Sequence, residues 1–155
     1  MFEIKENYKL EELKQIFDEN NQNFVFDKDS ITDDTYIKYV CTENDIPLGY
    51  LVLYPHSDFA EYDDYDINVD IPKNSIYIWH IVTKKGYERH GVARSLIDYL
   101  KRKYSKYNIY SIVDQNNDNS NKLHKALGFE KVETFKKAYK ETLDTYTLVR
   151  FKPSV

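Results

Sequence analysis

Hydrophobic positions recur along the chain in two rhythms, one close to a helical turn and one of strict alternation, and together they predict the elements. After Asn7, which reads as a cap, Leu10, Leu13, Ile16 and Phe17 fall at near-helical spacing, with Glu11 and Glu12 in the first turn where the helix dipole favours acids. A first helix is predicted there. Tyr36 to Cys41 and Leu48 to Tyr54 are rich in Tyr, Val, Ile and Leu and are separated by Thr42-Glu43-Asn44-Asp45-Ile46-Pro47, so they read as a hairpin. Ser75 to Thr83 is apolar on both alternating faces, the pattern of a central strand covered on both sides. Val92, Leu96, Leu100 and Tyr104 then repeat every four residues, with Ile97 widening the stripe and Asp98, Lys101, Arg102 and Lys103 away from it, which predicts a strongly amphipathic helix. Asn108 to Val113 is a further buried strand, Ser120 to Leu127 a short helix that Gly128 would end in the left-handed conformation, and Lys131 to Ala138 and Thr145 to Phe151 the last two strands.

The predicted order is β, α, β, β, β, α, β, α, β, β. It contains no repeat, low-complexity tract or linker, so residues 1–155 are expected to form a single domain. The one strand-helix-strand crossover, Ser75 to Val113, implies a parallel pair inside an otherwise antiparallel sheet. The fold class is therefore a mixed α/β (α+β) domain.

Composition narrows the function classes. Hydrophobic residues at 41% with 15% aromatics can fill a core, and 31% charged residues mark a soluble chain; no apolar run approaches the roughly 18 residues a transmembrane helix needs. Acids stand near the N-terminus where a signal peptide would be apolar, and the one cysteine, Cys41, cannot form an internal disulfide, so a cytoplasmic location is expected. The formal net charge of -4 provides no global field for nucleic acid. With only four glycines in the chain, each is expected where a side chain would be costly, and two of them, Gly86 and Gly91, bracket one short segment.

That segment, Lys84-Lys85-Gly86-Tyr87-Glu88-Arg89-His90-Gly91-Val92-Ala93-Arg94, joins the central strand to the amphipathic helix. A helix N-terminus leaves backbone N–H groups unpaired and carries partial positive charge, and small residues such as Gly91 and Ala93 let an anion come close. Lys84, Lys85, Arg89 and Arg94 add local positive charge, which points to a phosphate. Gly86 and Gly91 have Walker A spacing, but Val92 and Ala93 replace its lysine and hydroxyl residues, which disfavours a nucleotide triphosphatase. The three glycines and alternating units of a dinucleotide fold are also missing.

The chain resembles the GNAT superfamily of acyl-CoA-dependent N-acyltransferases. The family's phosphate motif, Gln/Arg-x-x-Gly-x-Gly/Ala, falls on Glu88-Arg89-His90-Gly91-Val92-Ala93, and Ile81-Val82-Thr83 looks like the bulged strand whose backbone pairs with the pantetheine arm. A later signature, Asn-x-x-Ala/Ser with a Tyr four residues on and a closing Gly-Phe, falls on Asn117, Ser120, His124, Gly128 and Phe129. Glu88 and His124 depart from it, standing where the family usually has Gln or Arg and Tyr. The resemblance implies acetyl-CoA as co-substrate without a metal, held by Ile81, Val82, Thr83, Arg89, His90, Gly91, Val92, Ala93, Arg94, Asn117 and Ser120. It also implies a central parallel pair that splays to open a cleft, and transfer of the acetyl group to a primary amine by direct attack.

Two histidines are candidates for catalysis. His124 would protonate the departing thiolate, or it packs in the core while the thiolate leaves unassisted or takes a proton from water. His80 would act as base, directly or through water, or it is a core histidine bonded to a backbone group. Tyr139 and Tyr146 are alternative acids among 15 tyrosines, and Cys41 has nothing nearby to activate it. The four histidines show no metal-ligand spacing. The stretch from Asp58 to Asp70 holds six acids and no base; it reads as a solvated loop or extended hairpin, or as an overhang selecting a cationic amine acceptor. Expected partners are thus an amine acceptor and, as a homodimer, a second copy of the chain, with neither nucleic acid nor membrane. A catalytically inert acyl-CoA-binding sensor is the competing function.

Overall fold

The computed structural model describes residues 1–6, 35–62, 67–136 and 145–153. Seven strands and three helices follow one another: β1 (Glu3–Glu6), β2 (Ile37–Glu43), β3 (Ile46–Tyr54), α1 (Phe59–Tyr62), β4 (Ser75–Thr83), α2 (Val92–Lys103), β5 (Asn108–Asp114), α3 (Asp118–Ala126), β6 (Glu130–Phe135) and β7 (Tyr146–Phe151). The helix predicted after Asn7 lies outside the described residues. The strands form one sheet in the order β1-β2-β3-β4-β5-β7-β6. β1 with β2, β2 with β3, β5 with β7 and β6 with β7 pair antiparallel, and β4 with β5 pairs parallel, the mixed sheet the crossover implies.

Local chemistry sets the element boundaries. β2 and β3 run further into their connection than the sequence pattern suggests, meeting at Glu43 and Ile46 around a two-residue turn in which Asn44 and Asp45 have φ of 51° and 64°. Both types tolerate the left-handed region, and a turn with φ positive at both positions matches the twist of the flanking strands. α3 starts two residues before the predicted Ser120, because the Asn117 side chain accepts the Ser120 N–H at 3.1 Å and caps the helix. At its other end the Phe129 N–H bonds to the His124 carbonyl at 2.9 Å and the Gly128 N–H to the Lys125 carbonyl at 3.1 Å, while Gly128 has φ of 88°. Gly128 does terminate the helix left-handed, in the paired hydrogen-bond arrangement that satisfies its last carbonyls.

The chain groups into two compact units, Met1–Pro55 with Trp79–Lys103, and His56–Ile78 with Tyr104–Val155. In the first, α2 buries Val92, Leu96, Ile97 and Leu100 beside the buried faces of β2 and β3. At its edge Lys103 bonds to Glu6 and lies over the Tyr39 and Tyr99 rings. In the second, Phe59, Ile76, Tyr77, Ile109, Tyr110 and Leu148 form the apolar interior.

Two segments differ from their sequence patterns. β4 is buried from Ser75 to Ile78 but only half-buried from Trp79 to Thr83. Its parallel register with β5 covers Ser75–Ile78 against Asn108–Ser111. Beyond it, β5 continues to pair with β7 from Ile112 to Asp114. The acidic stretch is not wholly solvated either. α1 forms one helical turn, its Glu61 N–H bonded to the Asp58 carbonyl at 2.9 Å, and Phe59 is buried with its ring stacked 4.5 Å from that of Tyr77. An aromatic ring removed from water outweighs the charge of its neighbours, whose carboxylates can stay hydrated. Residues 63–66 of that stretch lie outside the described residues.

Candidate active site

The first unit brings together His80, Ile81, Val82, Thr83 and the segment from Arg89 to Arg94. At the end of β4 the Lys84 N–H donates to the Leu48 carbonyl at 2.7 Å, fastening the strand's exit to β3. The chain then turns through Gly86, with φ of 93°. Arg89 and Gly91 have φ of 68° and 87°, with His90 between them on the ordinary side. Alternating hand along three residues is the backbone pattern of an anion-binding concavity; here the His90 N–H is bonded to the Tyr87 carbonyl at 3.3 Å, so the candidate cradle lies in the amides from Gly91 on. At Gly91 the requirement is conformational rather than spatial, since an added Cβ would come only within 3.8 Å of the Phe2 ring. Arg89 adopts the same region without a glycine's freedom, a strained conformation that favours a functional reading.

α2 begins immediately after this turn. The Ser95 N–H bonds to the Gly91 carbonyl at 2.9 Å, so the amides of Val92, Ala93 and Arg94 precede the first helical hydrogen bond, where the positive end of the dipole lies. Lys85, Arg89, His90 and Arg94 are exposed around it, and Lys84 lies over the Tyr87 ring at 5.9 Å. Glu88, the acid in an otherwise cationic loop, has its carboxylate bonded to the Gly86 N–H at 2.8 Å. Its carboxylate is thus engaged by the Gly86 amide, and the turn of alternating hand begins at the next residue, Arg89. Amides, dipole and exposed cations together fit a diphosphate.

The second unit brings together Asn117, Ser120 and His124. The Asn117 side chain is engaged as the cap of α3, and the Ser120 hydroxyl lies 3.3 Å from His124 Nδ1. His124 is buried, 3% exposed, with Nδ1 2.7 Å from the Ser120 carbonyl and Nε2 3.1 Å from the Ser111 hydroxyl. A carbonyl only accepts, so Nδ1 carries the proton, and in the neutral ring Nε2 accepts from Ser111. Burial pushes the ring's pKa below the ordinary value, only partly opposed by the Ser120 carbonyl. The Phe129 ring meets it edge-on at 5.0 Å. This arrangement is that of a packed, satisfied histidine, with both ring nitrogens engaged inside the protein.

His80 is half-buried and its ring lies 5.6 Å from that of Trp79, nearly perpendicular. Cys41 is fully buried and its thiol is pushed up to about 11, chiefly by burial and secondarily by the Glu43 carboxylate, so it stays protonated at neutral pH. Tyr146 stacks on Phe135 at 6.0 Å, and Tyr139 lies outside the described residues. Among the described residues, no helix is long and apolar enough to cross a membrane.

Sequence reasoning passed over Gly49 as a site residue. It is buried in β3, where an added Cβ would lie 2.6 Å from Val92 Cγ1 and 2.7 Å from the Val82 carbonyl oxygen. Only its rarity in a glycine-poor chain signalled it.

A mixed sheet whose central strand ends in a cationic turn and a helix N-terminus is the arrangement that the family resemblance implies for an acyl-CoA-dependent acyltransferase. The family model described as "Acetyltransferase (GNAT) family" matches residues 2–129, and the chain belongs to that family. Its activity is acetyl transfer with acetyl-CoA as co-substrate. Among solved structures, the chain is similar to the ribosomal-protein-S18-alanine N-acetyltransferase from Escherichia coli, at TM-score 0.74 and 14% identity, covering 100% of this chain and 96% of that one. It is similar also to Arabidopsis thaliana NAA60 in complex with acetyl-CoA, at TM-score 0.75 and 13% identity, covering 98% and 99%. The N-acetyltransferase from Staphylococcus aureus Mu50 aligns at TM-score 0.69 and 17% identity, covering 98% of each chain. No curated protein matches the chain in sequence.

Proposed function

We propose that residues 1–155 act as one cytoplasmic N-acetyltransferase domain whose acceptor is a primary amine, cationic in its resting form, on a small molecule or a protein. The observation that carries the cofactor side is the alternating-hand turn at Arg89 to Gly91 leading into α2. In this reading the amides of Gly91, Val92, Ala93 and Arg94 receive the diphosphate, Arg89 and His90 flank it, and the backbone of Ile81, Val82 and Thr83 pairs with the pantetheine arm. Neutral amine nitrogen attacks the thioester carbonyl carbon, the carbon–sulfur bond breaks, and the coenzyme leaves as thiolate. His80, half-buried next to Ile81, takes the proton from the amine directly or through one water. His124 orients α3 rather than donating a proton, because its Nδ1 proton is committed to the Ser120 carbonyl, so the thiolate is protonated from solvent.

The acidic run from Asp58 to Asp70 supports a cationic acceptor, since negative charge raises the local concentration of an ammonium. Acceptors of related folds include a ribosomal protein, as the name of the Escherichia coli enzyme states. The test is thiol release from acetyl-CoA across a panel of polyamines, amino sugars and peptides. Release that requires the added amine is expected, whereas acetyl-CoA binding without release from any of them would replace catalysis with an inert sensor.

A further inference from the structure

Four elements of the cofactor side meet at one residue that has no side chain. Gly49 is buried in β3, opposite Cys41 of β2. A methyl group there would lie 2.7 Å from the Val82 carbonyl oxygen, 2.6 Å from Val92 Cγ1 and 3.4 Å from the Thr83 Cα. Val82 and Thr83 end β4, and Val92 opens α2. One position in β3 therefore faces both the strand end and the helix start.

The two close approaches differ in kind. The Val92 methyl belongs to a buried β-branched side chain that is stiff at χ1 in a helix but can be removed by substitution, whereas the Val82 oxygen is backbone and yields only if the strand itself moves. Residue 48, immediately before, already accepts the Lys84 N–H at 2.7 Å, so the exit of β4 is tied to β3 on one side of Gly49 and touches it on the other. Conformational freedom is not the reason for this glycine, because among the described residues the glycines with positive φ are Gly86, Gly91 and Gly128. The reason is space.

We infer that Gly49 is a positioning residue for the acetyl-CoA site, its missing side chain setting how closely the end of β4 and the first residue of α2 approach β3 and hence each other. The inference rests on the functional reading above. Its consequence falls first on the coenzyme: widening this junction misaligns the Val82–Thr83 backbone and the amides at Val92 and Ala93 toward it, while movement carried back along β4 to His80 is read in kcat rather than in acetyl-CoA affinity.

The experiment is calorimetric titration of acetyl-CoA into wild-type protein and Gly49→Ala, well below the melting midpoint of each, with steady-state KM for coenzyme and amine measured in parallel. Failure of wild-type protein to bind acetyl-CoA would remove the functional reading itself. With wild-type binding established, Gly49→Ala is expected to weaken acetyl-CoA affinity by roughly tenfold or more while the amine KM changes by less than about twofold. Adding Val92→Ala to that variant should restore only part of the loss, because the clash with the Val82 oxygen remains. Leu148→Ala, a core truncation in β7, is expected to lower the melting midpoint with acetyl-CoA affinity unchanged, separating instability from misalignment. Should Gly49→Ala not fold, the double variant Gly49→Ala with Val92→Ala, which removes the closer contact and keeps the Val92 amide, takes its place and is expected to show a smaller loss of the same selective kind. Unchanged acetyl-CoA affinity in folded Gly49→Ala, or in the double variant where that takes its place, would overturn the inference.

Discussion

His124 and Glu88 occupy positions where the family resemblance leads one to expect other residues, and in both cases a hydrogen bond explains what the substitute does. Glu88 turns onto the Gly86 amide. His124 links α3 to β5 through Ser111 and closes its own helix through Phe129. Replacing it with Phe keeps the ring but leaves the buried Ser111 hydroxyl without its acceptor, so chemical denaturation should report a loss of about 1–3 kcal/mol. The pH–rate profile of that variant should keep its shape, and displacement of an acidic or basic limb would return His124 to a catalytic role. The ring's titration also carries a stability signature. Its folded pKa lies below the ordinary value of 6.5, so the unfolded chain binds the extra proton more readily. The contribution is therefore complete above about pH 6.5 and is lost as pH falls through the folded pKa. Melting midpoints followed from pH 7 to pH 5 should fall more steeply for wild-type protein than for His124→Phe.

Elements were legible where one kind of signal dominated. The stripe of Val92, Leu96 and Leu100 and the terminal Gly128 marked α2 and the end of α3, because periodicity and left-handed tolerance are properties of the local chain. α1 was not legible, since one aromatic residue in a run of acids becomes an anchor only when Tyr77 is beside it. That anchor can be weighed. Phe59→Ala should cost about 3–5 kcal/mol by chemical denaturation, the range for an aromatic removed from a core. A value within about 0.5 kcal/mol of zero would mean that the acidic stretch is solvated after all. The half-buried part of β4 belongs with α1 in this respect: its composition is that of a covered strand, yet only Ser75–Ile78, the residues in parallel register with β5, are buried.

At the scale of the whole molecule, a chain of net charge -4 gathers Lys84, Lys85, Arg89 and Arg94 in one short segment and six of its 26 acids between Asp58 and Asp70, the division on which the proposed pairing of an anionic coenzyme with a cationic amine rests. Replacing Asp63, Asp64 and Asp66 together by Asn should raise the KM for a polyamine severalfold at low ionic strength. The difference should fade toward about 0.15 M salt, where screening acts over roughly 8 Å. An unchanged KM throughout the salt series would dispose of electrostatic selection. The sequence by itself determined the elements with a single strong periodicity, the mixed sheet with its one parallel crossover, and the cationic, glycine-bracketed character of the turn into α2. Each depends on residues near one another in the chain, whose backbone preferences and charges act locally. Only the tertiary structure decided that His124 is enclosed by Ser111 and Ser120, that Phe59 is buried against Tyr77, and that Gly49 makes room for both Val82 and Val92. Those outcomes depend on which distant residues come within a few ångströms, a distance that no spacing along the chain encodes.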